Sequence, residues 1–238
     1  MKVFIVFAHP EPKSFNGALL LHAVETLEAA GHEVVVSDLH AMGWNPVSDR
    51  ANFTTVANAD YLKLQDEEIH ASKNDGFAAD VKAEMEKLFW CDFLILQFPL
   101  WWFGLPAIMK GWADRVLACG VAYGGGKWYD RGVFSGKKAM LSLTTGGPST
   151  SFSSDGLSGE INALLNPINH GILRFCGFDV LPPYVVWAPA RIGDDGRQEY
   201  LDAFSARLQA IETTEAIRYP SLDDYEPKTF VLKKDSVD

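Results

Sequence analysis

An almost continuous apolar run, FLILQF at residues 93–98, is followed at once by Pro99, and this junction constrains the fold more than any other part of the chain. A strand with so few polar positions must be covered on both faces, which is typical of a central strand in a parallel sheet. Pro99 ends the strand because its nitrogen cannot donate to a neighbouring strand. The sequence therefore predicts an α/β protein whose sheet lies between two layers of helices.

Three consecutive aromatic residues, Trp101, Trp102 and Phe103, occupy the loop after this strand, and Pro106 then begins a helix. Ligands of open α/β sheets bind at the carboxyl ends of the strands, so the aromatic loop is a candidate binding surface. Core packing or a dimer contact is the alternative explanation of these rings. Two prolines and Gly104 interrupt the stretch, which argues against a membrane span.

The same periodicities divide the rest of the chain into alternating strands and helices. Strands are predicted at residues 2–8, 33–38, 93–98, 138–143 and 178–186. Helices are predicted after a cap at Ser14 or Asn16, at 60–71 and 77–90, from Pro106, at 157–175 with a kink or a break at Pro167, and after a cap at Asp194 or Asp195. We predict a doubly wound, five-stranded parallel sheet in the flavodoxin-like order 2-1-3-4-5, with helices on both faces.

Length and composition indicate one domain, residues 1–217, with an insertion at about 39–76 and a polar C-terminal tail at 218–238. The net charge of −10, without a cluster of Lys or Arg, argues against nucleic acid as a partner. Three scattered cysteines are typical of reduced thiols, so we expect a cytoplasmic protein without membrane insertion. The His and Cys spacings match no metal-binding motif, and no metal is expected.

Loops with ligand-binding character follow the first, third and fourth strands, which are neighbours in the predicted order and end at one edge. The first loop leads into a helix start suited to phosphate, although Ser14 and Asn16 have helix capping as an alternative role. The other two offer aromatic faces and small residues. This combination suits a planar ring joined to phosphate, and the absence of a Gly-x-Gly-x-x-Gly motif favours a flavin over NAD alone.

Several ordered motifs are shared with one known family: SFN at 14–16, QFPL at 97–100, WFG at 102–104, KGW at 110–112 and TTGG at 144–147. From about residue 3 to 208 the chain resembles the NAD(P)H:quinone oxidoreductase (DT-diaphorase) family of flavodoxin-like flavoproteins. The resemblance implies non-covalent FAD, NAD(P)H as co-substrate, and two-electron reduction of a quinone-like acceptor by ping-pong hydride transfer. It also implies a homodimer whose aromatic walls enclose the substrate.

The resemblance assigns the site residue by residue. Cofactor contacts fall on His9, Ser14, Phe15, Asn16, Pro99, Leu100, Trp101, Trp102, Phe103, Thr144, Thr145, Gly146, Gly147, Arg197 and Leu201. Substrate contacts fall on Trp102, Phe103, Tyr123, Trp128, Phe152 and Phe175. Catalytic positions at the reacting ring are Gly146, Gly147, Phe152 and Ser158. The last two stand where the mammalian enzymes have a Tyr and a His, so the proton-handling step is expected to differ.

Two alternatives keep the flavin and change the function. In one, the acceptor is an azo or nitro compound rather than a quinone. In the other, the chain is a regulatory flavoprotein subunit that binds a transport protein, and reductase activity is incidental. Turnover with different acceptors distinguishes the three hypotheses.

Overall fold

A six-stranded parallel sheet forms the centre of the computed structural model, which describes residues 1–233. The strands are β1 (Lys2–Phe7), β2 (Glu33–Asp38), β3 (Phe93–Pro99), β4 (Lys138–Thr145), β5 (Asp179–Val180) and β6 (Tyr184–Trp187). Their spatial order is β2-β1-β3-β4-β5, and β6 also pairs with β4. Every pair is parallel. The predicted fold class and strand order are therefore confirmed.

Strand β3 is central, as its apolar sequence predicts. All of its residues are buried, and Ile95 lies between Ile5 on β1 and Met140 on β4. The helices are α1 (Phe15–Ala29), α2 (Leu64–Asn74), α3 (Ala79–Trp90), α4 (Ala107–Val116), α5 (Ile161–Ile168) and α6 (Gly193–Gln209). One apolar layer includes Leu88, Trp112 and Leu165, and a second includes Leu27 and Phe204. The sheet thus has helices on both faces.

The predicted fifth strand at 178–186 is wrong in one respect, because it is two short strands. Pro182 and Pro183 separate β5 from β6, and neither residue has an N–H to donate to β4. The predicted helix at 157–175 is also divided. It begins only at Ile161, and after Ile168 it widens into a π-helical segment, Asn169–Arg174. Pro167 lies just before this change, where its missing N–H weakens the α-helical bonding.

Helix ends and faces show further differences. Ser14 caps α1, because its Oγ accepts from Gly17 N at 3.2 Å, whereas Asn16 lies inside the helix. Asp194 and Asp195 do not cap α6 but lie in its first turn, after the positive-φ Gly193 begins the helix. The helix predicted at 60–71 is α2, shifted toward the C-terminus. The apolar spacing of the helix predicted at 77–90 places Phe89 on the core side with Val81, Met85 and Leu88, but Phe89 is 45% exposed in α3.

The segment predicted as an insertion, at about 39–76, is held against the rest of the chain by the buried cation of Arg115. Arg115 on α4 is 3% exposed, and its Nε donates to Asn52 Oδ1 at 2.6 Å. The same guanidinium bonds the carbonyl oxygen of Asn45, pairs with Asp80 and lies 4.4 Å from the ring centroid of Trp44. These contacts replace the hydration that burial removes from the charge.

Among the described residues, no helix is long and apolar enough to cross a membrane.

A buried carboxylate connects β2, α3 and α4. Glu84 is fully buried and accepts from Ser37 Oγ at 3.0 Å, Lys87 Nζ at 2.5 Å and Trp112 Nε1 at 2.9 Å. Ser37 and Trp112 are themselves buried, so neither donor has water as a substitute partner. A charge in such a place is tolerated only because several donors surround it.

We expect Glu84→Ala to lower the free energy of unfolding by about 2–4 kcal/mol, because it leaves two buried donors without an acceptor. Urea denaturation measures the change. The matched control is Glu86→Ala on the exposed side of the same helix, which should stay within about 0.5 kcal/mol of the wild type. Equal effects of the two substitutions would contradict a special role for the cluster.

Candidate functional site

A cleft of about 750 Å³ opens at the carboxyl edge of the sheet, where β1, β3 and β4 end side by side. Most of the predicted cofactor residues line it, namely His9, Ser14, Phe15, Asn16, Pro99, Leu100, Trp101, Thr144, Thr145, Gly146 and Arg197. The three loops expected to converge do so. Trp102, Phe103, Gly147 and Leu201 are not part of this lining.

Backbone donors are concentrated at the start of α1. The first N–H groups of a helix have no carbonyl partner within it. Ser14 Oγ satisfies the N–H of Gly17, while the N–H groups of Phe15 and Asn16 have no acceptor among the described residues. The helix dipole adds a partial positive charge at the same place. This end of the cleft is therefore suited to an anionic oxygen of a phosphate.

The loop after β4 also presents backbone donors beside the cleft. Gly146 and Gly147 follow β4, and their N–H groups have no acceptor within the described part of the chain. Thr145 Oγ1 donates to the carbonyl oxygen of Gly147 at 2.8 Å, which fixes the turn. A Cβ on Gly147 would lie 3.3 Å from the Phe152 ring, so this loop packs closely. The arrangement is suited to the edge of a flat ligand.

Four residues that line the cleft were not predicted from the sequence: Lys13, Ala18, Pro189 and Ala190. Pro189 and Ala190 follow β6, and the preceding Ala188 has a left-handed φ of 47°. A loop after the last strand lies at the same carboxyl edge as the other three, so topology alone could have indicated it. Lys13 gave no such signal because it is one exposed cation in a polar loop.

Arg197 on α6 is fixed at the rim of the cleft. Its Nη1 donates to the carbonyl oxygen of Pro189 at 3.0 Å, and its Nη2 bonds the carboxylate of Asp194. One third of the side chain remains exposed. Arg197 thus lies beside the loop after β6, at the rim of the cleft.

The aromatic loop forms a tight turn whose backbone conformation is unfavourable for bulky residues. Trp101 N donates to Gly104 O at 3.2 Å, and Gly104 N donates to Trp101 O at 3.0 Å. Between them, Trp102 and Phe103 have φ values of 50° and 60°. Positive φ at both central positions is typical of a type I′ turn, which favours Asn and Gly rather than bulky rings. The turn leaves Trp102 97% and Phe103 51% exposed.

Two other predicted substrate residues, Trp128 and Phe175, line a separate aromatic recess of about 410 Å³. The recess is lined by Trp128, Tyr129, His170, Phe175, Pro220, Leu222, Tyr225 and Phe230. Phe175 packs against Trp128 and against Tyr123, with ring centroids 6.5 Å and 5.4 Å apart. The structure therefore brings Tyr123, Trp128 and Phe175 together. It does not bring them to Trp102 and Phe103 within one chain, since the recess and the cleft share no lining residue.

Residues predicted as a C-terminal tail form one wall of this recess. Leu222 N donates to Asp130 Oδ1 at 3.1 Å, and Asp223 pairs with Arg131 at 2.6 Å. Residues 234–238 of the predicted tail lie outside the described residues, and the division at residue 217 stays a prediction.

Burial lowers the pKa of His170, with a further contribution from Arg174, so the neutral imidazole is favoured in the recess.

Phe152 and Ser158 lie beside the cleft rather than in its lining. Phe152 is 8% exposed, and its ring centroid is 5.4 Å from that of Trp187. Ser158 is half-buried and its N–H donates to Ser151 O at 2.8 Å. Neither places a strong acid at the cleft. Together, the parallel sheet, the free N–H groups at the start of α1 and the exposed aromatic loop define a flavodoxin-like protein. Its cleft is suited to a phosphate and a planar ring.

Comparison with known proteins agrees with this class. Residues 1–210 match the family model described as flavodoxin-like fold. NAD(P)H dehydrogenase (quinone) 1 of Rattus norvegicus is 43% identical over 211 residues, which cover 88% of this chain and 77% of the rat protein. Ribosyldihydronicotinamide dehydrogenase (quinone) of Homo sapiens is 43% identical over 217 residues, which cover 91% of this chain and 94% of the human protein.

A solved structure of a candidate quinone reductase from Klebsiella pneumoniae is similar over nearly the whole chain. Its TM-score is 0.96 at 40% identity, and the match covers 99% of this chain and 95% of the other. The chain belongs to the NAD(P)H:quinone oxidoreductase family of flavodoxin-like proteins. The family resemblance of the sequence motifs is confirmed.

We expect the double substitution Trp102→Asn with Phe103→Gly to raise the free energy of unfolding by about 1–3 kcal/mol, because it relieves two left-handed aromatic residues. Chemical denaturation measures the gain. The control is Trp102→Ala with Phe103→Ala, which removes the rings but keeps a side chain that disfavours positive φ. If both double variants have the same stability, the turn stores no strain.

Proposed function

We propose that this chain is an FAD-dependent NAD(P)H:quinone oxidoreductase that acts as a homodimer. The observation that carries the proposal is the convergence, at one sheet edge, of helix-start donors, a flat glycine turn and an exposed aromatic turn. FAD would supply the acceptor of a hydride from NAD(P)H and the donor of two electrons to a quinone, in a ping-pong cycle. The chain's own groups would bind, orient and shield the reactants.

The residues present fit an FAD molecule. The free N–H groups of Phe15 and Asn16 suit the pyrophosphate. Pro99 to Trp101 and Thr144 to Gly146 lie side by side at the ends of β3 and β4, where they would hold the edges of the isoalloxazine ring. Arg197 lies at the rim, where it would reach the adenine half. FAD, rather than FMN, is supported by this last position.

Exposure of the aromatic turn supports a two-fold dimer. Trp102 is almost entirely exposed beside the cleft, whereas Trp128 and Phe175, two of the other predicted substrate residues, line the recess of the same chain. Exposed apolar groups at such density usually mark an interface. In a two-fold pair, the recess of one subunit would face the cleft of the other, and each site would be completed by both chains. A site enclosed by both subunits would also keep water from the isoalloxazine ring.

The experiment combines identification of the flavin with steady-state kinetics. We expect purified protein to release FAD on denaturation, detected by mass, and to reduce quinones with NADH, NADPH or dihydronicotinamide riboside as donor. Arg197→Ala should weaken FAD binding about 10-fold but leave FMN binding nearly unchanged, with Arg191→Ala as the exposed control. Release of FMN alone would refute the cofactor assignment. Near-zero turnover with intact flavin would favour the regulatory alternative, and a strong preference for azo or nitro compounds would favour the other.

We expect the reaction to proceed without a histidine-like ionisation from position 158 in the pH–rate profile. Phe152 has no hydrogen-bond donor, and a serine hydroxyl is too weak an acid to replace imidazole near neutral pH. The N–H groups of Gly146 and Gly147 would stabilise negative charge on the reduced ring instead. Phe152→Tyr with Ser158→His should speed reduction of the flavin, by at most about 10²–10⁴-fold.

Stopped-flow absorbance after mixing with NAD(P)H measures this rate. Phe152→Tyr alone is the control, because it adds a donor without adding an ionisable group of near-neutral pKa. An unchanged rate in a folded, flavin-replete double variant would show that protons reach the site by another route.

A further inference from the structure

A chain of three buried polar side chains runs from the central strand to the cleft. Gln97 on β3 is 1% exposed, Asn16 on α1 is 4% exposed and Thr144 on β4 is 6% exposed. Gln97 Nε2 donates to Asn16 Oδ1 at 2.9 Å, and Asn16 Nδ2 donates to Thr144 Oγ1 at 2.9 Å. Asn16 and Thr144 line the cleft, whereas Gln97 lies behind them.

Gln97 is the one polar side chain of β3, and its position needs a reason. An apolar residue would fill the same space without burying an amide, whose desolvation must be offset by hydrogen bonds. Its contact with Asn16 supplies one such bond. Because Gln97 does not line the cleft, any effect on a ligand must pass through Asn16.

The direction of these hydrogen bonds determines what Thr144 can do. An amide has an acceptor oxygen and a donor nitrogen, so a donor placed at Asn16 Oδ1 directs Asn16 Nδ2 to Thr144. The Thr144 oxygen then accepts from Asn16. Its own hydroxyl proton has no acceptor among the described residues. A hydroxyl rotates to suit its partner, and the cleft is the open side of this residue.

We propose that Gln97 is a positioning residue that, through Asn16, makes Thr144 a hydrogen-bond donor to the ligand in the cleft. The matching ligand atom is an acceptor, such as a carbonyl oxygen or an unprotonated ring nitrogen of a flavin. The inference rests on the proposed function for the identity of that ligand. Without Gln97, the Asn16 amide is free to turn and accept the Thr144 proton, which removes the donor from the cleft.

The test compares FAD affinity in Gln97→Met, Thr144→Val and the double variant by fluorescence titration of the flavin-free protein. Each single substitution should raise the Kd about 10-fold, the value of one buried hydrogen bond. The Kd of the double variant for FAD should not exceed the higher of the two single-variant values, because both substitutions remove the same donor. Thr144→Ser, which keeps the hydroxyl, should recover most of the affinity. Gln209→Met on the exposed end of α6 is the control for the Gln-to-Met change.

A purely structural role for Gln97 predicts a different pattern. Effects that multiply in the double variant, or a Gln97→Met protein with wild-type Kd, would overturn the proposal. If Gln97→Met does not fold, Gln97→Asn replaces it, since its shorter side chain keeps an amide but cannot reach Asn16. Wild-type protein that binds no FAD would refute the proposed function instead, so the two failures are distinguishable.

A second measurement requires no flavin. In ¹⁵N-labelled, flavin-free protein, the side-chain amide signal of Asn16, identified by its loss in Asn16→Asp, should shift in both Gln97→Met and Thr144→Val. It should not shift in Gln209→Met. An Asn16 signal that responds to Thr144→Val but not to Gln97→Met would show that Gln97 does not orient the amide, which contradicts the proposal.

Discussion

Burial of β3 on both faces is the constraint on which the rest of the structure depends. Strand β3 has no solvated face, and its backbone is paired along both edges, with β1 and β4 as the parallel partners. Parallel neighbours end at the same edge, so the loops after β1, β3 and β4 meet there whatever their own sequences. The cleft is therefore a consequence of the core. Substitutions that disturb β3 are expected to act on the site as well as on stability.

The polar residues at this edge show how the core and the site are connected. Gln97 interrupts an otherwise apolar strand and donates to Asn16 on α1, and Asn16 in turn donates to Thr144 on β4. These hydrogen bonds join the start of α1 to the ends of β3 and β4, so the residues that line the cleft are held by the same side chains that connect it to the core.

Fold class, strand order and the convergence of three loops could be predicted from the sequence because periodicity and topology suffice for them. Ser14 as the cap and the division of α5 after Pro167 follow from local rules, although Asn16 and Ser14 could not be distinguished as caps. The recess could not be predicted, because Leu222 and Phe230 reach it only through tertiary contacts with distant segments. Its wall depends on pairs such as Arg131 with Asp223, which are 92 residues apart. Local sequence patterns do not predict such a long-range pairing.

The charge of the chain also limits how the cleft can bind an anion. With a net charge of −10, the protein has no long-range attraction for phosphate, and Arg197 is already paired with Asp194. Backbone N–H groups at Phe15 and Asn16 avoid this difficulty, since their dipoles are fixed by α1 and are not screened by distant carboxylates. They also cost no side-chain entropy when a ligand binds. An acidic protein can thus hold a phosphorylated ring compound by geometry rather than by net charge.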